Sequence, residues 1–169
     1  MAVSQPSTKR DGTIAIKDGA GSPLTTTVAY EDGDLSIEGL TSGGTNPLPF
    51  SDRGVQYGLR DGDDHPVNFT FTAHLMEIFD ATNKTIADAF LKTGTYSAAT
   101  STWGANVADR YTVTVVWTVE ETDRGGAADN TVTMTYCTAE VSFSEGEPNK
   151  ISIKGTAYPK DSTLAVIRA

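Results

Sequence analysis

Asp61-Gly62-Asp63-Asp64-His65 is the densest group of candidate ligands in the sequence: three carboxylates and an imidazole within five residues. Clustered carboxylates can hold calcium, but the remaining calcium-loop pattern, above all the distal bidentate glutamate, is missing. The stretch reads as a solvated acidic turn, with an ion site as the alternative. Glu31-Asp32-Gly33-Asp34 and Glu145-Gly146-Glu147 read the same way. Paired acids also serve glycoside hydrolysis, but nothing in their spacing sets two carboxyls across a cleft. His65 abuts Pro66 and His74 falls on the polar side of a strand, so each reads as a solvated or structural imidazole. Cys137 lies inside a strand pattern and reads as an inert buried thiol. No phosphate loop, dinucleotide fingerprint, zinc spacing or nucleophile elbow is present. The sequence assigns no catalytic, cofactor-binding or metal residue.

The elements that would position any site are mostly strands. In Val67–Leu75 the apolar residues Val67, Phe69, Phe71, Ala73 and Leu75 alternate with polar ones, which places them on one face. A single helix follows over Thr85–Gly94. Thr85 stands at its cap, Asp88 at the reciprocal capping-box position and Gly94 at a left-handed stop, with Ile86, Ala89, Phe90 and Leu91 as its apolar stripe. Before these lies a meander: Thr13–Lys17, a turn at Asp18–Gly21, then Leu24–Tyr30 and Leu35–Glu38. After them come a small polar stretch with Trp103 as an isolated anchor and a strand over Tyr111–Glu120. A long strand then starts at Thr131. Its apolar residues are even-numbered at Val132, Met134 and Tyr136 but odd-numbered at Cys137, Ala139, Val141 and Phe143. One slipped residue reverses every side chain, so this change of phase predicts a bulge near Tyr136–Cys137, where one strand could serve two sheets. Ile151, Ile153, Gly155 and Ala157 line a last strand.

Gly39–Pro66 breaks the pattern. It is rich in glycine and proline and shows no sustained period, yet it carries Phe50, Val55, Tyr57 and Leu59. Loops beyond roughly 12–15 residues are uncommon in compact domains and are usually functional or disordered. Its apolar residues point to a docking loop that finds a partner's surface.

The chain has 169 residues, enough for one well-buried core, and reads as a single domain over 1–169 with a polar arm at 1–10 and a tail at 159–169. The expected fold is mainly β: two packed antiparallel sheets, a sandwich or partly closed barrel, with one flanking α-helix. A formal net charge of −9 argues against a nucleic-acid clamp. A lone cysteine excludes an internal disulfide and fits a reducing compartment. The N-terminal residues show no apolar signal region, and the expectation is a soluble protein made in the cytoplasm of its producing cell.

This order of elements resembles the major tail tube protein of long-tailed, siphophage-like bacteriophages. Asp11-Gly12-Thr13-Ile14-Ala15-Ile16 and Phe143-Ser144-Glu145-Gly146-Glu147-Pro148-Asn149 are similar to stretches of such proteins. The resemblance implies a virion protein whose fold is tail-tube-like. Six copies would close a ring, and rings would stack into a hollow tube that conducts genomic DNA without binding it specifically. The long loop would join rings, through Phe50, Val55, Tyr57 and Leu59. A tape-measure protein would fill the bore during assembly, and a tail terminator would cap the tube. Glu120 and Glu140 interrupt strands on the polar side and are the expected bore-facing charges, in a bore whose negative field repels phosphates. The alternative reading is a β-sandwich binding module, such as a capsid decoration or adhesion domain. Relatives of the fold in contractile injection machines fit the same layout.

Overall fold

The computed structural model describes residues 12–20, 23–28, 35–39, 48–60, 65–74, 85–99, 103, 109–119, 128–146, 150–160 and 164–169, with residues 48–50, 52, 55–60 and 74 as backbone alone. The strands are β1 (Gly12–Lys17), β2 (Thr25–Val28), β3 (Ser36–Ile37), β4 (Leu48–Asp52), β5 (Val55–Arg60), β6 (Val67–His74), β7 (Val113–Val119), β8 (Asn130–Ser144), β9 (Lys150–Ala157) and β10 (Val166–Arg168). Helix α1 spans Ile86–Leu91 and a 3-10 helix spans Gly94–Ala98. Eight strands form one antiparallel sheet in the order β2-β1-β7-β8-β9-β6-β3, with β10 also on β8; β4 and β5 form a separate hairpin. Among the described residues the sheet ends at β2 and β3 and does not close.

Two separate sheets were the expectation; one bent sheet is found. The reason lies in β8, where Val115 pairs with Met134 but Val113 pairs with Cys137, leaving one extra residue on β8. Tyr136 takes the left-handed backbone that such a bulge needs, at φ 47°. Val132 and Met134 are buried before the bulge and Cys137 after it, so the change of phase read from the sequence is a real reversal of faces. The ladder does not break there, because Cys137 pairs with Val113 on one edge and with Ala157 of β9 on the other. On the β9 edge the handover occurs at Thr135, whose carbonyl accepts from Tyr158 N–H while its own N–H donates to Ala165. Residues 164–169, read as part of a tail, instead run along the first half of β8, with Ala165 and Val166 buried.

Both halves of the bent sheet feed one core. Ile14, Ile16, Val28, Val113, Val115 and Met134 come from one half, and Val67, Phe69, Phe71, Ile151 and Ile153 from the other. Helix α1 lies against β1, β2 and β8, and Phe90 approaches Phe71 on β6 at 6.3 Å between ring centroids. Its start follows the sequence: Thr85 Oγ1 accepts from Asp88 N–H at 3.1 Å, and the Asp88 carboxylate accepts from Thr85. Its stop does not. The left-handed cap is Lys92 at φ 57°, and Gly94, also left-handed at φ 54°, opens the 3-10 helix instead. The buried Asp88 carboxylate explains this, because it also accepts from Thr93 Oγ1 at 2.6 Å and draws the chain back over the helix end. The buried face is accordingly Ala87, Asp88 and Ala89, while Leu91 is exposed.

Gly155 sits between Phe69 and Ala139 in register, with the Phe69 ring over it. A Cβ there would lie 2.2 Å from Phe69 Cζ. Gly155→Val must therefore displace the ring from the core, and equilibrium denaturation is expected to show a loss of about 1–3 kcal/mol. A variant as stable as the parent would mean that the ring does not pack there.

Candidate functional site

Of the residues expected to join copies, Phe50, Val55, Tyr57 and Leu59 all fall on the β4–β5 hairpin, within the segment expected to lack regular structure. The hairpin forms because Arg53 and Gly54 both take positive φ, 49° and 81°, the backbone of a two-residue turn matched to strand twist. Phe50 stands opposite Gly58, Val55 opposite Asp52 and Leu59 opposite Pro49, while Tyr57 falls at a register irregularity beside Phe50 and Ser51. Among the described residues, no other element makes more than slight contact with this hairpin. Residues 48–60 thus form a hairpin with its own ladder rather than an irregular excursion. Val55, Tyr57 and Leu59 alternate with Gln56 and Gly58 as a strand does, and Arg53-Gly54 makes the turn before them.

Two sheet edges are unpaired among the described residues. β8 carries β7 on one edge only as far as Cys137, so over residues 140–144 that edge has no partner strand. β3 covers β6 only at Phe69 and Thr70, with one further bond from Glu38 N–H to the Asn68 carbonyl, which leaves residues 71–74 uncovered. The apolar face of β8 also loses cover toward its end: Cys137 is buried, Ala139 and Val141 are half-buried, and Phe143 is 50% exposed. An open edge with an exposed aromatic is a template for another strand.

Glu140 is exposed on the polar face of this half, directly opposite Lys154 of β9. Glu120, the stretch Asp61–Asp64 and the arm at 1–10 lie outside the described residues. The polar face is laid out in cross-strand rows: Thr138, Thr156 and Asn68; then Glu140, Lys154 and Thr70; then Ser142, Ser152 and Thr72. A groove of about 540 Å³ lies over the first two rows, with Arg110 and Tyr158 also in its lining.

Cys137 is buried, and burial pushes its thiol far above the ordinary range while its Sγ–H donates to the Met134 carbonyl. His65 is exposed at the start of the β6 segment. Among the described residues no three His, Cys, Asp or Glu side chains gather as a metal site would require. Sequence reading passed over Asp18 and Tyr96. Asp18 is buried and its carboxylate accepts from Ala20 and Leu24 N–H, tying β1 to β2. Tyr96 is fully buried and bonds Thr26 Oγ1 at 2.8 Å, and burial raises its phenol pKa. Trp103 is not isolated, since Lys160 Nζ lies 5.8 Å from its ring and 5.2 Å from that of Tyr136.

Neither a protein-family model nor a curated protein matches the chain. Solved structures do. One is a chain of the sheath–tube complex of an extracellular contractile injection system (PVC) in its extended state, with TM-score 0.54, 11% identity and coverage of 99% of this chain and 94% of that one. A second comes from the sheath/tube terminator of an extracellular contractile injection system (PVC) in the extended state, with TM-score 0.56, 12% identity and coverage of 99% of both chains. The fold is tail-tube-like. At these identities the likeness is one of fold, and it extends over almost the whole length of each chain.

Because the folded state holds Cys137 as a thiol, native protein at pH 8 is expected to resist a thiol reagent that labels the unfolded chain within minutes. The sign of the linkage is set by the raised folded pKa: the stabilisation is complete below the unfolded thiol value of about 8.5 and declines as pH rises above it. Rapid labelling of folded protein would show that the bulge at Cys137 opens readily.

Proposed function

We propose that this protein is a non-enzymatic structural subunit of a phage-tail-like particle, which assembles with copies of itself into rings that stack as a tube. The observation that carries this reading is the fold match, over almost the whole of each chain, to chains of a contractile injection system's sheath–tube complex and sheath/tube terminator, joined to two strand edges that are unpaired among the described residues. The two edges differ, so pairing one copy's β8 edge with a neighbour's β6 edge is heterologous, and heterologous contacts close into rings when the rotation permits. Six copies per ring, a siphophage tail as the particle and genomic DNA as the traffic are the specific form of this reading taken from the sequence resemblance. In that form, a tape-measure protein and a tail terminator are the partners and the virion is the site of action.

The β4–β5 arm is the proposed joint between rings. Phe50, Val55, Tyr57 and Leu59 each contribute on the order of 1.5–3 kcal/mol if fully buried, which a neighbouring ring can supply.

Negative-stain microscopy of concentrated protein tests the reading, with rings or tubes expected. Phe143→Lys puts a charge beside the open β8 edge and should leave a folded monomer that no longer associates laterally. The double variant Phe50→Ser with Tyr57→Ser should still close rings but not stack them. Featureless monomers at every concentration and salt would favour the binding-module alternative.

A further inference from the structure

The groove over the polar face of β6, β9 and β8 has a charge that the whole chain does not predict. Net charge is −9, yet the lining holds two cations, Arg110 and Lys154, to one carboxylate, Glu140. Lys150 continues the same face of β9 and is exposed, four residues before Lys154. In an extended strand that spacing is about 14 Å. Asn68, Thr70, Thr138 and Thr156 add amide and hydroxyl groups to the lining, which Phe69, Ala139, Gly155 and Tyr158 complete. A carboxylate already docks at the rim: Asn68 Nδ2 donates to Glu38 Oε2 at 2.9 Å, and Asn68 Oδ1 is steadied by Thr156 Oγ1 at 3.0 Å. Asn68 thus shows how this surface receives an acidic residue from an adjoining extended segment.

We propose that the groove is a binding seat for an acidic, extended polypeptide segment of a partner protein. Arg110 and Lys154 take side-chain carboxylates, Lys150 takes one further along, and the threonine and asparagine row meets the partner's backbone. One feature favours polypeptide over nucleic acid. Glu140 stands opposite Lys154 and would repel a continuous phosphate backbone, whereas a peptide can place a neutral residue there. The seat belongs to the single chain and stands whether or not tubes form.

Fluorescence anisotropy of the soluble protein tests it. The probe is a labelled threonine–serine peptide with two glutamates four residues apart, against the same peptide with lysines and against short duplex DNA. Saturable binding of the glutamate peptide is expected, weakening as salt rises. Arg110→Glu and Lys154→Glu should each weaken it about tenfold, the loss of one charge-assisted contact, and Lys154→Gln by less. Lys92→Glu, on the helix cap beside Tyr111, should leave binding unchanged, and matching thermal melts of all variants show that folding is intact. The proposal is overturned if the parent protein fails to bind the glutamate peptide, if the groove variants bind it undiminished, or if the lysine peptide or the duplex binds as tightly.

Discussion

The double pairing of Cys137 is the constraint on which the rest depends. One residue holds β7 on its left and β9 on its right, immediately after a bulge whose extra residue, Tyr136, has positive φ. A non-glycine residue in that backbone region is disfavoured, and it persists because hydrogen bonds and packing on both sides over-determine it. The bulge reverses the faces of a 15-residue strand. Without that reversal, Val141 and Phe143 would share a face with the polar rows and Glu140 would enter the core. With it, a single strand lines one core from both halves of the sheet, and among the described residues its second half has no partner strand on one edge.

That geometry divides the labour within the chain. The first half of the sheet is covered: β7, β1 and β2 extend one way from β8, β10 closes its other edge, and α1 lies over the core. Among the described residues the second half has an unpaired β8 edge, a β6 edge covered by β3 at only two residues, an exposed Phe143 and the groove lined by Arg110, Lys154 and Glu140. Soluble proteins ordinarily blunt such edges with charge, proline or a bulge. Within residues 140–144 the exposed Glu140 is one such charge, and Ser142, Phe143 and Ser144 carry none.

Alternation made the strong strands legible. Val67, Phe69, Phe71 and Ala73 are all buried, as are Ile151, Ile153, Gly155 and Ala157, because a half-buried strand writes its face into every second residue. The bulge was readable for the same reason, as an error in that alternation. What escaped were features that depend on residues distant in sequence. Tyr96 looked like part of a polar stretch because its partner, Thr26, lies 70 residues away. Ala165 and Val166 looked like a tail because three residues carry no period, and only β8 makes them a strand. The helix end moved from Gly94 to Lys92 because the cap acid, Asp88, also serves Thr93. Glu140, expected as a bore-facing charge, stands opposite Lys154 through strand register, a pairing that no local pattern reveals.

The central claim is that the second half of β8 is an edge kept open for another copy. Hydrogen exchange resolved to single amides over residues 138–144 tests it directly. In the monomer, amides bonded to β9 should be protected, and the alternate ones on the open edge should exchange at rates close to those of an unstructured chain. On assembly the alternate set should become protected as well. Uniform protection already present in the monomer, or rapid exchange of the alternate set that survives assembly, would contradict the account.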